Sequence, residues 1–209
     1  MTKIFKKLIL IGVALTVAGI VDAKTFRYAT TGDVLVLDPH ANNEGPTNTM
    51  KGNIYGRLIH RKADLSLEPD LATKWEKLNS TAWRFTLRQG VKFHNGNPFN
   101  ADDVLYSFKR QTQESSEMSF ALATVKEIRK VDDYTIDIIT KGPDPILLLN
   151  MPIFYIVDKE WTEANNAFEV VRAGGSTNFA NVNTNGTGPF KLVEWIQDTR
   201  LVLEPNKDY

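Results

Sequence analysis

An α/β fold is predicted by three observations on this chain. Trp83, Phe85 and Leu87 alternate with Arg84, Thr86 and Arg88, the period-two pattern of a half-buried strand. Tyr134, Ile136 and Ile138 repeat that alternation behind a turn at Asp132-Asp133. Between them, Asn100 stands at the head of an apolar-periodic run with Asp103 at the third helical position, the two partners of a capping box.

The elements follow in chain order. Phe26, Tyr28 and Thr30 alternate and predict a first strand, followed by a polar loop that is broken by Val34–Leu37 and by Asp38-Pro39-His40. Met50, Ile54 and Leu58 lie four residues apart, so Thr47–Leu58 reads as a helix face; Gly52 and Gly56 either weaken it or mark a close contact. Pro69-Asp70 can open a short helix in which Leu71 and Trp75 meet one turn apart. After the strand at Trp83, Gln89-Gly90 turns the chain, Val91 and Phe93 resume the alternation, and Asn95-Gly96 turns it again. The helix behind Asn100 is expected to bury Val104, Leu105 and Phe108. Val125–Val131 and Tyr134–Ile139 read as two strands, the second stopped by Lys141-Gly-Pro-Asp-Pro145. Ile146–Val157 is a long apolar stretch divided by Pro152, and 165–185 reads as loop around one short helix. Lys191–Trp195 and Arg200–Leu203 are expected to pair as antiparallel strands.

The 209 residues suffice for one or two domains with a sizeable core, and 24% charge with 42% hydrophobic content argues against disorder. A net charge of zero gives no attraction to a nucleic-acid backbone or an anionic membrane surface. Lys3, Lys6 and Lys7 precede an apolar run from Leu8 to Val21, and Val21-Asp22-Ala23 has small residues where a signal peptidase cuts. Residues 1–23 are therefore expected to be a signal peptide; a retained anchor is the alternative. The run is shorter than the roughly 20 residues of a spanning helix. Loss of three lysines and one aspartate would leave 22 basic and 24 acidic residues. The chain has no cysteine, hence no disulfide framework and no thiol for a lipid anchor.

No catalytic constellation is visible. The three histidines, His40, His60 and His94, lack the i, i+4 spacing of a zinc helix, and no metal or cofactor is expected. His40 is expected to satisfy loop backbone groups, and His94 to sit solvent-facing or packed beside a turn. Asp102-Asp103 suits a helix N-terminus, where negative charge meets the positive end of the dipole, and Asp132-Asp133 suits a turn. The motifs GxSxG and GxxxxGK[ST] are absent. Trp75, Trp83, Trp161 and Trp195 are expected mostly in the core, with lining of a ligand cleft as the alternative.

The block Trp83–Val104 resembles a signature of the family-5 solute-binding proteins of ABC importers, the dipeptide-, oligopeptide- and nickel-binding group. Leu37-Asp-Pro-His40, Leu67-Glu-Pro-Asp-Leu-Ala72 with Trp75, Gly186-Thr-Gly-Pro-Phe190 and the closing Leu203–Tyr209 extend the resemblance over 24–209. It implies a two-lobed, periplasmic-binding-protein type II-like fold that closes on a solute, with an inserted domain. It also implies that the chain holds only the first lobe and that domain: first lobe in 24–55 and 184–209, inserted domain in 56–183, second lobe beyond Tyr209.

The function implied is capture of peptides, or another small solute, by a monomeric periplasmic protein that delivers them to ABC permease subunits in the inner membrane. No nucleic acid and no lipid anchor are expected. The loop residues Asn42, Asn43, Glu44 and Gly45 are implied to face the ligand through backbone pairing, with an ordinary solvated loop as the alternative. Met151 and Phe154 are further ligand candidates by resemblance, or core. A secreted hydrolase with catalytic residues beyond Tyr209, or a truncated product without function, stands as the alternative.

Overall fold

The computed structural model describes residues 25–209, so the expected signal peptide at 1–23 lies outside the described residues. Among these, no helix is long and apolar enough to cross a membrane. In chain order the elements are α1 (Gly45–Ile54), β1 (Ile59–Arg61), β2 (Leu67–Pro69), β3 (Ala72–Asn79), β4 (Ala82–Leu87) and α2 (Ala101–Gln111). A 3₁₀ turn at Ser119–Leu122 leads to β5 (Val125–Asp132) and β6 (Thr135–Thr140). Then come α3 (Leu147–Asn150), a 3₁₀ turn at Met151–Ile153, α4 (Lys159–Ala164), α5 (Phe179–Val182), β7 (Phe190–Ile196) and β8 (Arg200–Pro205).

The strands form three antiparallel sheets: β1-β2, a four-stranded sheet in the order β3-β4-β6-β5, and β7-β8. The predicted alternation holds in β4, where Phe85 and Leu87 are buried and Thr86 is exposed. Arg84, across from Asp137 of β6, makes a bidentate pair with it at 2.7 and 2.9 Å. α2 packs on the inner face of this sheet, its start fixed by the predicted box: Asn100 Oδ1 accepts the Asp102 N–H, and Asp103 Oδ2 accepts the Asn100 N–H. Phe85, Phe93, Phe99, Val104, Leu122, Ile136, Ile138 and Phe154 fill the larger core. A second core joins Val34, Leu37, Met50, Ile54 and Tyr55 to Tyr106, Met118 and Val157, with Leu192, Trp195, Leu201 and Leu203 of β7-β8 against it.

Several expectations need correction. Leu71–Trp75 is no helix: Ala72–Asn79 is a strand, because Trp75 and its neighbours pair with Phe85 and the rest of β4, and that ladder overrides a weak local signal. Residues 25–30 have no regular structure and are exposed, and among the described residues they join no ladder; alternation alone does not make a strand. Val91 and Phe93 form no second strand, only an isolated bridge between Lys92 and Pro98. α1 ends at Ile54, so Leu58 belongs to the extended chain beyond it. Leu105 and Phe108 are half-buried, while Val104, Tyr106, Ser107 and Arg110 are buried. All four tryptophans are half-buried rather than enclosed.

Candidate functional site

The loop from Asp38 to Gly45 leaves the second core and enters α1, and buried charge fixes its start. Asp38 is 0% exposed and accepts from Arg110 of α2 twice, Nη1 to Oδ1 at 2.7 Å and Nη2 to Oδ2 at 2.5 Å. Arg110 Nε donates to the Ala167 carbonyl at 3.0 Å. Two charges taken out of water hold together only if their remaining protons and lone pairs are partnered. His40 completes that requirement. Its backbone N–H donates to Asp38 Oδ1 at 2.9 Å, and its Nδ1 accepts from Arg110 Nη1 at 3.0 Å. Nε2 then carries the proton and donates to the Tyr155 carbonyl at 2.9 Å, so the ring does satisfy a backbone group.

The electrostatics agree with that proton placement. Burial first, and the Arg110 charge second, bring the His40 pKa down to about 3, so the imidazole is neutral. Burial pushes Asp38 upward, but the charge and hydrogen bonds of Arg110 outweigh it and hold the carboxyl below its usual range. Tyr55, also enclosed, donates to the Leu37 carbonyl at 3.2 Å, and burial raises its pKa.

Beyond His40 the loop is anchored group by group. Ser116 Oγ donates to the His40 carbonyl at 2.7 Å. Asn42 Oδ1 accepts the Ala173 N–H at 2.9 Å, and the Asn43 N–H donates to Glu117 Oε2 at 2.8 Å. Asn43 Oδ1 accepts from Asn48 Nδ2 at 2.8 Å, and Glu44 Oε1 caps α1 by accepting the Thr47 N–H at 2.8 Å. Gly45 is the first residue of α1. These four candidate residues are consecutive: Asn42–Glu44 form the loop that turns the chain into α1, and Gly45 lies in the helix. Asn43 and Gly45 are exposed and Glu44 half-buried, whereas Asn42 is buried and faces inward. Met151 and Phe154 are elsewhere: both are 0% exposed within the larger core and present no surface.

A second polar knot ties the returning chain to the block after β4. Asp158 Oδ2 accepts from the side-chain amides of Asn95, Asn97 and Asn185 at 3.0, 2.8 and 2.8 Å, while Oδ1 caps α4 through the Trp161 N–H. Asp103 lies beside it, accepting N–H groups of Asn100 and Lys159; burial carries its pKa up to about 7 against those two hydrogen bonds. Asp103, Asp158 and Glu160 cluster within 4.8 Å, but the oxygens of the two buried carboxylates are already committed to N–H donors. That arrangement is a structural knot rather than a cation cage. His94 donates from Nε2 to the Gly188 carbonyl at 3.0 Å, and His60 lies 3.8 Å from Glu68 across β1-β2. The buried serine hydroxyls serve backbone groups: Ser116 Oγ donates to the His40 carbonyl, and Ser107 Oγ accepts the Val157 N–H at 2.9 Å.

The residues that build this site, Arg110, Glu117 and Asp158, carried no motif. Arg110 did carry a weak signal, because it falls three residues beyond Ser107 on the buried face of α2 with Asp103 and Val104. For Glu117 and Asp158, only the three-dimensional path of the chain brings loop and partner together.

Residues 66–209 match the profile of the bacterial extracellular solute-binding proteins, family 5 Middle. The chain is 31% identical over 213 residues to the dipeptide-binding protein of Escherichia coli K12, covering 90% of this chain and 39% of that one. It is 30% identical to heme-binding protein A of Haemophilus influenzae, covering 88% of this chain and 37% of the relative. Among solved structures, the periplasmic binding protein DppA of Helicobacter pylori in complex with the peptide STSA superposes with a TM-score of 0.74 at 30% identity, over 85% of this chain and 38% of that one. The chain thus spans about two-fifths of the length of these relatives.

Proposed function

The chain belongs to family 5 of the bacterial extracellular solute-binding proteins, and from that membership we propose that it is the solute-capturing component of an ABC importer. On this reading the protein works in the periplasm, binds peptides, and hands them to permease subunits of the inner membrane. It performs no chemistry on them. The observation that carries the reading is the match to a dipeptide-binding protein at 31% identity across 90% of this chain. The anchored turn at Asn42–Gly45 supports it. A turn held by bonds to Lys51, Glu117 and Ala173 can meet a solute without first being ordered, which lowers the entropy lost on binding. We assign Asn43, Glu44 and Gly45 to the solute-facing surface, with Asn42 holding the turn from below. Met151 and Phe154 then belong to the larger core, away from this turn.

The same reading divides the chain into one lobe from 24–55 and 184–209 and an inserted domain from 56–183. The contact of Gly186 and Gly188 with the end of α1 is consistent with two crossings side by side. Thermal unfolding of the full-length protein against alanine di- and tripeptides tests the function. Ligand at a hundredfold excess over its dissociation constant should add about 2.7 kcal/mol of stability, with the peptides recovered intact. Cleaved peptide would instead establish the hydrolase reading.

A further inference from the structure

The Asn42–Gly45 turn is held from two sides by charged groups. From within α1, Lys51 is 0% exposed and donates from Nζ to the Asn42 carbonyl, and to Asn48 Oδ1 at 3.2 Å. From the segment behind α2, Glu117 accepts the Asn43 N–H at 2.8 Å and reaches Asn42 Nδ2 at 3.4 Å. Lys51 stands among Asp38, Glu44 and Glu117, and Asp38 is already paired with Arg110, beside neutral His40. Burial lowers the Lys51 pKa to about 8, against the favourable charges of Asp38, Glu44 and Glu117 in that order, so its direct hold on the turn is the hydrogen bond to the Asn42 carbonyl. A buried ammonium is costly unless its protons and charge are both answered, and here the turn itself supplies one acceptor. Removing Lys51 takes the ammonium donor from the Asn42 carbonyl, and removing Glu117 releases the Asn43 N–H to solvent.

We infer that Lys51 and Glu117 form a brace that pre-organises the Asn42–Gly45 turn, and that both are positioning residues setting solute affinity from behind the binding surface. This rests on the assignment of the turn to solute capture. Its quantitative consequence is simple. Affinity scales with the fraction of molecules whose turn is in the competent shape, so a turn competent one-tenth of the time binds roughly tenfold more weakly. That loss falls on the association rate, since a solute once bound sees the same contacts.

The test uses the full-length protein as wild type, K51M, E117A and E117Q, with alanine di- and tripeptides as probes. Two readouts are taken: amide hydrogen exchange over residues 41–48, and association and dissociation rates for the peptide. The expected result is exchange roughly tenfold faster in K51M and E117A, with association slowed by a similar factor and dissociation little changed. E117Q keeps an acceptor for the Asn43 N–H and should recover part of both effects. Because K51M removes a buried group, E117A at a half-buried position is the deciding variant. Wild-type protection across 41–48 in E117A, or faster exchange with an unchanged association rate, overturns the brace. If no peptide binds even the wild type, it is the solute assignment that fails, and the exchange readout still decides whether the two residues hold the turn.

Discussion

At His40 the surroundings, not the side chain, decide the charge, and the consequence is an acid-sensitive fold. Its pKa is about 3 in the folded chain against 6.5 for the free side chain. The native state therefore binds fewer protons than the unfolded one between those values. Stability from this site is complete above pH 6.5 and is lost progressively as pH falls towards 3. Asp103 acts in the opposite sense: with a pKa of about 7 against 3.8, it favours the folded state at low pH and loses that contribution as pH rises from about 4 to 7. Urea midpoints across pH 4–7 separate the two. H40Q should be less stable at pH 7 yet lose less on acidification than wild type. D103N should flatten the opposing trend and so fall more steeply with acid. Parallel curves for all three proteins would show that neither group titrates as described.

The elements differ in how far local sequence dictates them. The cap of α2 was legible because Asn100 Oδ1 accepts the Asp102 N–H and Asp103 Oδ2 accepts the Asn100 N–H, all within four residues and with no need of the rest of the chain. β4 was legible because its buried face repeats at period two. N100A should cost about 1 kcal/mol and leave the fold intact, measured by chemical denaturation. An unchanged midpoint would mean that the cap contributes nothing. β3 was not legible: its exposed run of Thr73, Lys74, Glu76 and Lys77 has no alternation, and only pairing with β4 makes it a strand. The four candidate residues are consecutive, but the inward direction of Asn42 depends on Ala173, 131 residues away, which no local pattern encodes. The burial of Met151 and Phe154 likewise comes from packing, in an apolar run that reads equally as core or cleft.

Across the described residues, the chain leaving α1 meets the chain returning before β7, where the Gly188 N–H donates to the Ile54 carbonyl at 2.8 Å. Gly186 and Gly188 lie against the last turn of α1, and a Cβ on Gly186 would sit 2.0 Å from the Ile54 carbonyl oxygen. The Gly186 carbonyl accepts the His94 N–H at 2.8 Å, and the Gly188 carbonyl accepts from His94 Nε2 and Asn206 Nδ2. G186A must displace backbone, so it should cost about 3 kcal/mol, in the upper range for overpacking, visible as a lowered urea midpoint. A loss below 1 kcal/mol would mean that the crossing is loose. The central claim concerns the solute. Calorimetric titration of the full-length protein with a panel of di- and tripeptides tests it most directly. Saturable binding of peptides with one site per chain, and no heat of turnover, is the result this account expects. Flat titrations across the panel, or continuous heat with cleaved product, would contradict it.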